Sequence, residues 1–149
     1  MSFQVSYVAN QTKEVGKKQI YELRKGTLTP STTEVVYSTR KQTIIDSLEV
    51  SASEPTKCGL KIVAYVNGVQ KVVEIISGDG LTSDGFYIQK VLESTSSLFD
   101  IVSYDTVNNK YKIALKEPLY FPEGCVISRR NESTTASYSV GVVLLGREF

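Results

Sequence analysis

The side chains that could do chemistry in this sequence are few, and their spacing narrows them further. There is no histidine, which excludes a Ser–His–Asp triad, an imidazole base, a histidine metal ligand and a histidine pH switch together. The two cysteines, Cys58 and Cys125, fit no spaced metal motif. They read as buried thiols acting as small apolar residues, with a Cys58–Cys125 bridge as the alternative. Ser77–Phe86 (SGDGLTSDGF) places two aspartates among three glycines. Its spacing is not that of an EF-hand loop, and it leads into a strand-like Phe86-Tyr87-Ile88 instead of a phosphate-cradling helix, so it reads as a turn. Arg129-Arg130 and Arg147 form a candidate basic patch. Glu132 and Glu148 lie beside them, and a solvated surface of mixed charge is the expectation. Nine tyrosines could stack on sugars or line an interface, though most read as ordinary strand residues. Asn10-Gln11-Thr12 and Asn131-Glu132-Ser133 match the glycosylation pattern, and without a signal peptide neither is expected to be used. No carboxylate pair or serine–lysine dyad stands out. The sequence therefore predicts no catalytic residue, no cofactor and no metal.

Any residues that act must be held by strands. The dominant apolar period is two, and the clearest unit surrounds Asn67-Gly68, the dipeptide that most favours a type I′ hairpin. Pairing across it sets Val66 opposite Val69, Ala64 opposite Lys71, Ile62 opposite Val73 and Leu60 opposite Ile75. One face is then apolar except for Lys71. Tyr111, Ile113 and Leu115 share a face, as do Tyr138, Val140, Val142 and Leu144; Phe86, Ile88 and Leu92 are expected to do the same. Further strands are expected near Ile20–Leu23, Glu34–Tyr37, Thr43–Val50, Leu98–Tyr104 and Cys125–Ser128. Turns fall at Ser53-Glu54-Pro55, Ser77–Gly80, Val107-Asn108-Asn109 and Pro122-Glu123-Gly124. The one helix-like stretch is Lys90–Ser97. About ten short strands at this spacing predict an all-β fold, an antiparallel sandwich or jelly roll.

Length and charge agree with a single such domain. The chain has 149 residues with 41% hydrophobic and 22% charged, and its net charge of +1 argues against capture of nucleic acid or an anionic membrane. Its N-terminus has neither a basic n-region nor an apolar core, and no run is long enough to span a bilayer. The expectation is synthesis in the cytoplasm with no membrane partner. Asn10–Gln19 is polar and lysine-rich. Residues 1–19 are therefore expected to form an arm and residues 20–149 the sandwich, with Tyr21 and Leu23 able to pack on the core. The arm's apolar anchors are Phe3, Val5, Tyr7 and Val8.

The order of these pieces resembles a known group. Gly26-Thr27-Leu28-Thr29 precedes Thr33–Ser38 (TEVVYS) and Thr43–Val50 (TIIDSLEV). The Asn67-Gly68 hairpin, Pro122–Ile127 (PEGCVI) and Tyr138–Gly146 (YSVGVVLLG) follow. Over about residues 25–149 this is similar to the small β-sandwich structural proteins of tailed bacteriophage virions. The chain departs from their pattern at Ser38–Gln42, where a Pro-x-Gly turn is common, and at Cys125, where an acidic residue is common. The resemblance implies a virion protein without catalytic residues: a capsid decoration or cement protein, or a collar, tail or fibre component. It also implies a homo-oligomer, a trimer before a dimer, in contact with major capsid or tail proteins. A carbohydrate-binding sandwich module is the alternative from another class.

Overall fold

Alternating side chains make sheets only where one face of each strand can be covered, and here two sheets cover each other. The computed structural model of the protein describes residues 18–73, 86–93 and 98–149. Among them are β1 (Lys18–Arg24), β2 (Thr27–Leu28), β3 (Thr32–Thr39), β4 (Thr43–Ala52), β5 (Cys58–Val66) and β6 (Val69–Val72). There follow β7 (Phe86–Tyr87), the short helix α1 (Ile88–Leu92), β8 (Phe99–Asp105), β9 (Lys110–Leu115), β10 (Leu119–Phe121), β11 (Cys125–Asn131) and β12 (Tyr138–Glu148). One sheet runs β1-β12-β4-β9-β8, with β10 also on β4 and β2 also on β12; the other runs β3-β11-β5-β6, with β7 also on β5. All these pairings are antiparallel. The protein is an all-β sandwich, as its periodicity predicts.

The inner faces supply Leu48, Val50, Leu60, Ile62, Ile113 and Ile127, all fully buried. Phe86 and Phe99 meet among them with ring centroids 5.5 Å apart. In β3 a bulge breaks the alternation. Ile127 faces Tyr37 and Ser128 faces Val35, leaving Val36 as the extra residue. Val36 and Tyr37 are thus both buried although adjacent in sequence. A second bulge sits between Leu145 and Gly146 of β12, with Asp46 the extra residue of β4. Its carboxylate takes two hydrogen bonds from Arg147, 2.9 and 3.1 Å long.

Asn67 (φ 53°) and Gly68 (φ 79°) both lie in the left-handed region, as a type I′ turn requires. Val66 pairs with Val69 and Ala64 with Lys71, and the Val73 N–H donates to the Ile62 carbonyl at 2.9 Å.

Several expectations need correction. Leu60 faces Phe86 of β7 instead of Ile75, which lies outside the described residues. The pairing partner changes because β6 ends at Val72 and β7 occupies the rest of that edge of β5. Gly59 makes the approach possible: a Cβ there would stand 1.8 Å from the Phe86 carbonyl oxygen. Phe86, Ile88 and Leu92 do not share a strand face. The chain turns from β7 into α1, which buries Ile88 and Val91 and exposes Leu92. The helix therefore starts ahead of the expected Lys90. Strands β2 and β10 are too short to show a period in the sequence. At the N-terminus β1 begins at Lys18 and buries Ile20, while Tyr21 and Leu23 point away from the core. Bonding β1 to β12 leaves one face for the core, and alternation gives that face to Ile20. Ser77–Gly85 and the arm residues Phe3, Val5, Tyr7 and Val8 lie outside the described residues.

Candidate functional site

Arg129 and Arg130 do not form the solvated patch that their neighbours suggest, whereas Arg147 lies in an exposed pair with Asp46. Arg129 is 6% exposed. Its Nε donates to Glu34 at 2.8 Å, and its Nη1 donates to the carbonyls of Val140 at 2.6 Å and Gly26 at 3.3 Å. One guanidinium thus ties β11 and β3 of one sheet to β12 of the other, using its planar fork of donors. Arg130 pairs with Glu132 at 3.7 Å. Asn131 is fully buried. Its amide nitrogen donates to the carbonyls of Leu28, Thr29 and Ala136, and its amide oxygen accepts from the Ser133 N–H at 2.9 Å. The glycosylation match at Asn131 therefore has its amide nitrogen enclosed and engaged. These residues join the sheets.

The thiols are equally inert. Both are free and buried, and burial pushes each up to about 12, with a smaller contribution from Glu54 at Cys58 and Glu148 at Cys125. In the β5–β11 ladder Cys58 faces Asn131 and Cys125 faces Ala64. Six strand positions separate them, roughly 20 Å, which excludes a bridge within one chain. Beside Cys125, the Tyr37 hydroxyl donates to Glu148. Burial first and that carboxylate second push the Tyr37 phenol upward, while the same bond holds the Glu148 carboxyl below its usual range. Among the described residues no group of three or more Cys, Asp or Glu side chains is arranged to hold a metal ion.

What the fold does present is surface. On the outer face of the larger sheet, Tyr21 stands opposite Leu145 and Leu23 opposite Val143. Tyr21 is 63% exposed, Leu145 43% and Leu23 40%. Ile44 and Tyr120 face each other between β4 and β10 and extend the apolar area. Two ion pairs rim it, Arg147–Asp46 at 2.9 Å and Lys112–Glu49 at 3.1 Å. Among the described residues no strand pairs with the far edge of β1. Toward β8 the same sheet hollows into a groove of about 420 Å³ with Ser51, Ser53, Ser103, Asn109, Lys110 and Lys112 on its walls. Tyr104 and Tyr111 at that end pack edge to face on each other, 4.8 Å apart, and Tyr111 is buried.

A second exposed feature is the hairpin tip. Val66 and Val69 are 44% and 57% exposed. The tip is gripped from a neighbouring turn: the Glu123 carboxylate accepts from the Asn67 N–H at 2.8 Å and the Gly68 N–H at 3.1 Å. Those bonds, with a smaller contribution from Arg40, hold the Glu123 carboxyl below its usual range. Arg40 lies over the Tyr65 ring, 4.0 Å from its centroid. Gly124 (φ 96°) allows the docking, since a Cβ there would stand 2.1 Å from the Thr39 carbonyl oxygen.

Pro122-Glu123-Gly124 reads in the sequence as a turn, but nothing local marks Glu123, because its partners lie more than fifty positions away in the chain. No family model and no curated protein matches the chain.

Proposed function

We propose that this protein is a non-enzymatic structural component of a tailed bacteriophage virion, a capsid decoration or cement protein first and a collar, tail or fibre component second. The observation that carries the reading is β1. Among the described residues it is an edge strand, with an exposed apolar stripe of Tyr21 and Leu23 continued by Val143 and Leu145. The segment with Phe3, Val5, Tyr7 and Val8 lies upstream of it in the chain. Exposed edges and apolar stripes invite strand addition and association. Hairpin connections are usually short, whereas nine mostly polar residues, Ala9 to Lys17, separate Val8 from β1, so that stretch suits a span to a second copy of this chain. An arm that reaches a neighbouring copy can close a cyclic oligomer, and the preference for a trimer over a dimer rests on the family resemblance. Ordering the arm costs about 1 kcal/mol or more per residue, and the four apolar anchors are what offset it. The virion location rests on the family resemblance, and the other partners would be the major capsid or tail proteins.

Deleting residues 1–17 tests the arm. The truncated protein should melt like the parent but fail to form the parent's oligomer in light scattering. Loss of the folded state would instead make Phe3–Val8 a core strand. A mass-spectrometric inventory of purified particles tests the location, and absence of the chain from any particle would end the proposal. Glycan-array binding lost on single tyrosine substitutions would favour the carbohydrate module.

A further inference from the structure

Asn-Gly carries a reaction as well as a turn preference. The glycine nitrogen can attack the asparagine carboxamide because no Cβ obstructs it. The Gly68 nitrogen loses its proton and forms a bond to Asn67 Cγ; the Cγ–Nδ2 bond breaks, and Nδ2 departs with that proton as ammonia. Water then opens the cyclic imide at either carbonyl, leaving aspartate or isoaspartate at position 67. No oxidant or other co-reactant enters.

Asn67 and Gly68 are both exposed, so water reaches them. The attacking atom, however, is already engaged. The Gly68 N–H points at Glu123 Oε1, 3.1 Å away, and the Asn67 N–H at Oε2, 2.8 Å away. Removing the Gly68 proton would set a negative nitrogen against a carboxylate, which repels it strongly at that distance. The same two bonds hold both residues in their left-handed conformations, limiting the excursions that attack requires.

We propose that Asn67-Gly68 is a deamidation site that Glu123 keeps latent in the folded protein. Conversion would release the tip. A carboxylate at position 67 lies beside that of Glu123, and like charges drive the tip off the 122–124 turn. An isoaspartate also lengthens the main chain by one carbon and spoils the Val66–Val69 pairing. The proposal stands apart from the virion reading and survives its failure.

The test is a time course at mildly alkaline pH on the full chain, followed by peptide mass spectrometry at position 67 with fragmentation that separates aspartate from isoaspartate. Folded wild-type protein should keep Asn67 several-fold longer than the same protein in urea. Glu123→Ala and Glu123→Gln should convert several-fold faster than wild type, with Asn108 and Asn109 as internal controls whose rates do not move. Equal rates in wild type and both folded variants overturn the proposal, as does conversion of folded wild type at the rate seen in urea. If either variant loses its fold, amide exchange of Gly68 in the wild type decides: slow exchange supports the engaged nitrogen, and free exchange removes it.

Discussion

Strands β5 and β11 pair from Cys58–Asn131 to Ala64–Cys125, and the two ends of that ladder treat polar groups in opposite ways. At the Asn131 end the polar groups are inside, with Arg129 and Asn131 buried and every contact made to protein. At the other end the chain runs on to the tip, where Val66 and Val69 are outside and Glu123 holds the turn from the surface. Burial of a polar side chain is tolerated because all its partners are present, so removing one leaves several groups in want of water. At the tip water is at hand to replace whatever is lost. Sensitivity to substitution should therefore fall steeply along one pair of strands.

Asn131→Ala probes the steep end. It strips hydrogen bonds from the carbonyls of Leu28 and Ala136 and from the Ser133 N–H. The expected cost is about 3 kcal/mol, read as a lower urea midpoint at unchanged slope. A loss below about 1 kcal/mol would mean water enters and the two ends are alike. Gly68→Val probes the tip. Space is open there, since a Cβ would meet nothing within 4 Å. The cost is then backbone strain alone at φ 79°, a little over about 1 kcal/mol for a β-branched residue. A neutral midpoint would show that the turn readily takes another form.

How far the sequence was legible follows the same division. Period-two alternation located the long strands, and Asn67-Gly68 located its own turn and register, because both are local signals. The bulge that buries Val36 beside Tyr37, the β7 strand that displaces Ile75 from Leu60, and the outward face of Tyr21 all depend on which strand lies alongside. No local pattern carries that information. Arg129 is the sharpest case. Beside Arg130, Glu132 and a run of polar residues it has the neighbours of a surface residue, yet its partners are Glu34, Gly26 and Val140, brought in from both sheets. Of the candidate interface, the apolar pairs Tyr21–Leu145 and Leu23–Val143 became visible only with the β1–β12 pairing.

The smallest effect expected is an acid titration at the tip. The Asn67 and Gly68 N–H groups, with Arg40 adding to them, favour the charged form of Glu123 and lower its carboxyl in the folded state. In the unfolded chain the carboxyl returns to the ordinary glutamate value of about 4.3. A group depressed on folding adds stability above its unfolded value and loses it as pH falls through the folded one. The tip should therefore stay clamped through the ordinary glutamate range and release only below it. Because Glu123 is only half-buried and the amides it holds belong to exposed residues, global stability will register little of the change, so a local probe is required. The amide proton shifts of Asn67 and Gly68, followed by NMR on acidification, should move together with a midpoint below that of an ordinary glutamate. Asp105, also lowered by its bonds from Asn108 and Val107, reports on a different loop and leaves these two amides alone. Glu123→Gln should abolish the titration at both. Midpoints at or above the ordinary value would mean that the carboxylate contacts are not populated in solution, and the contrast between an enclosed end and a clamped end would reduce to enclosure alone.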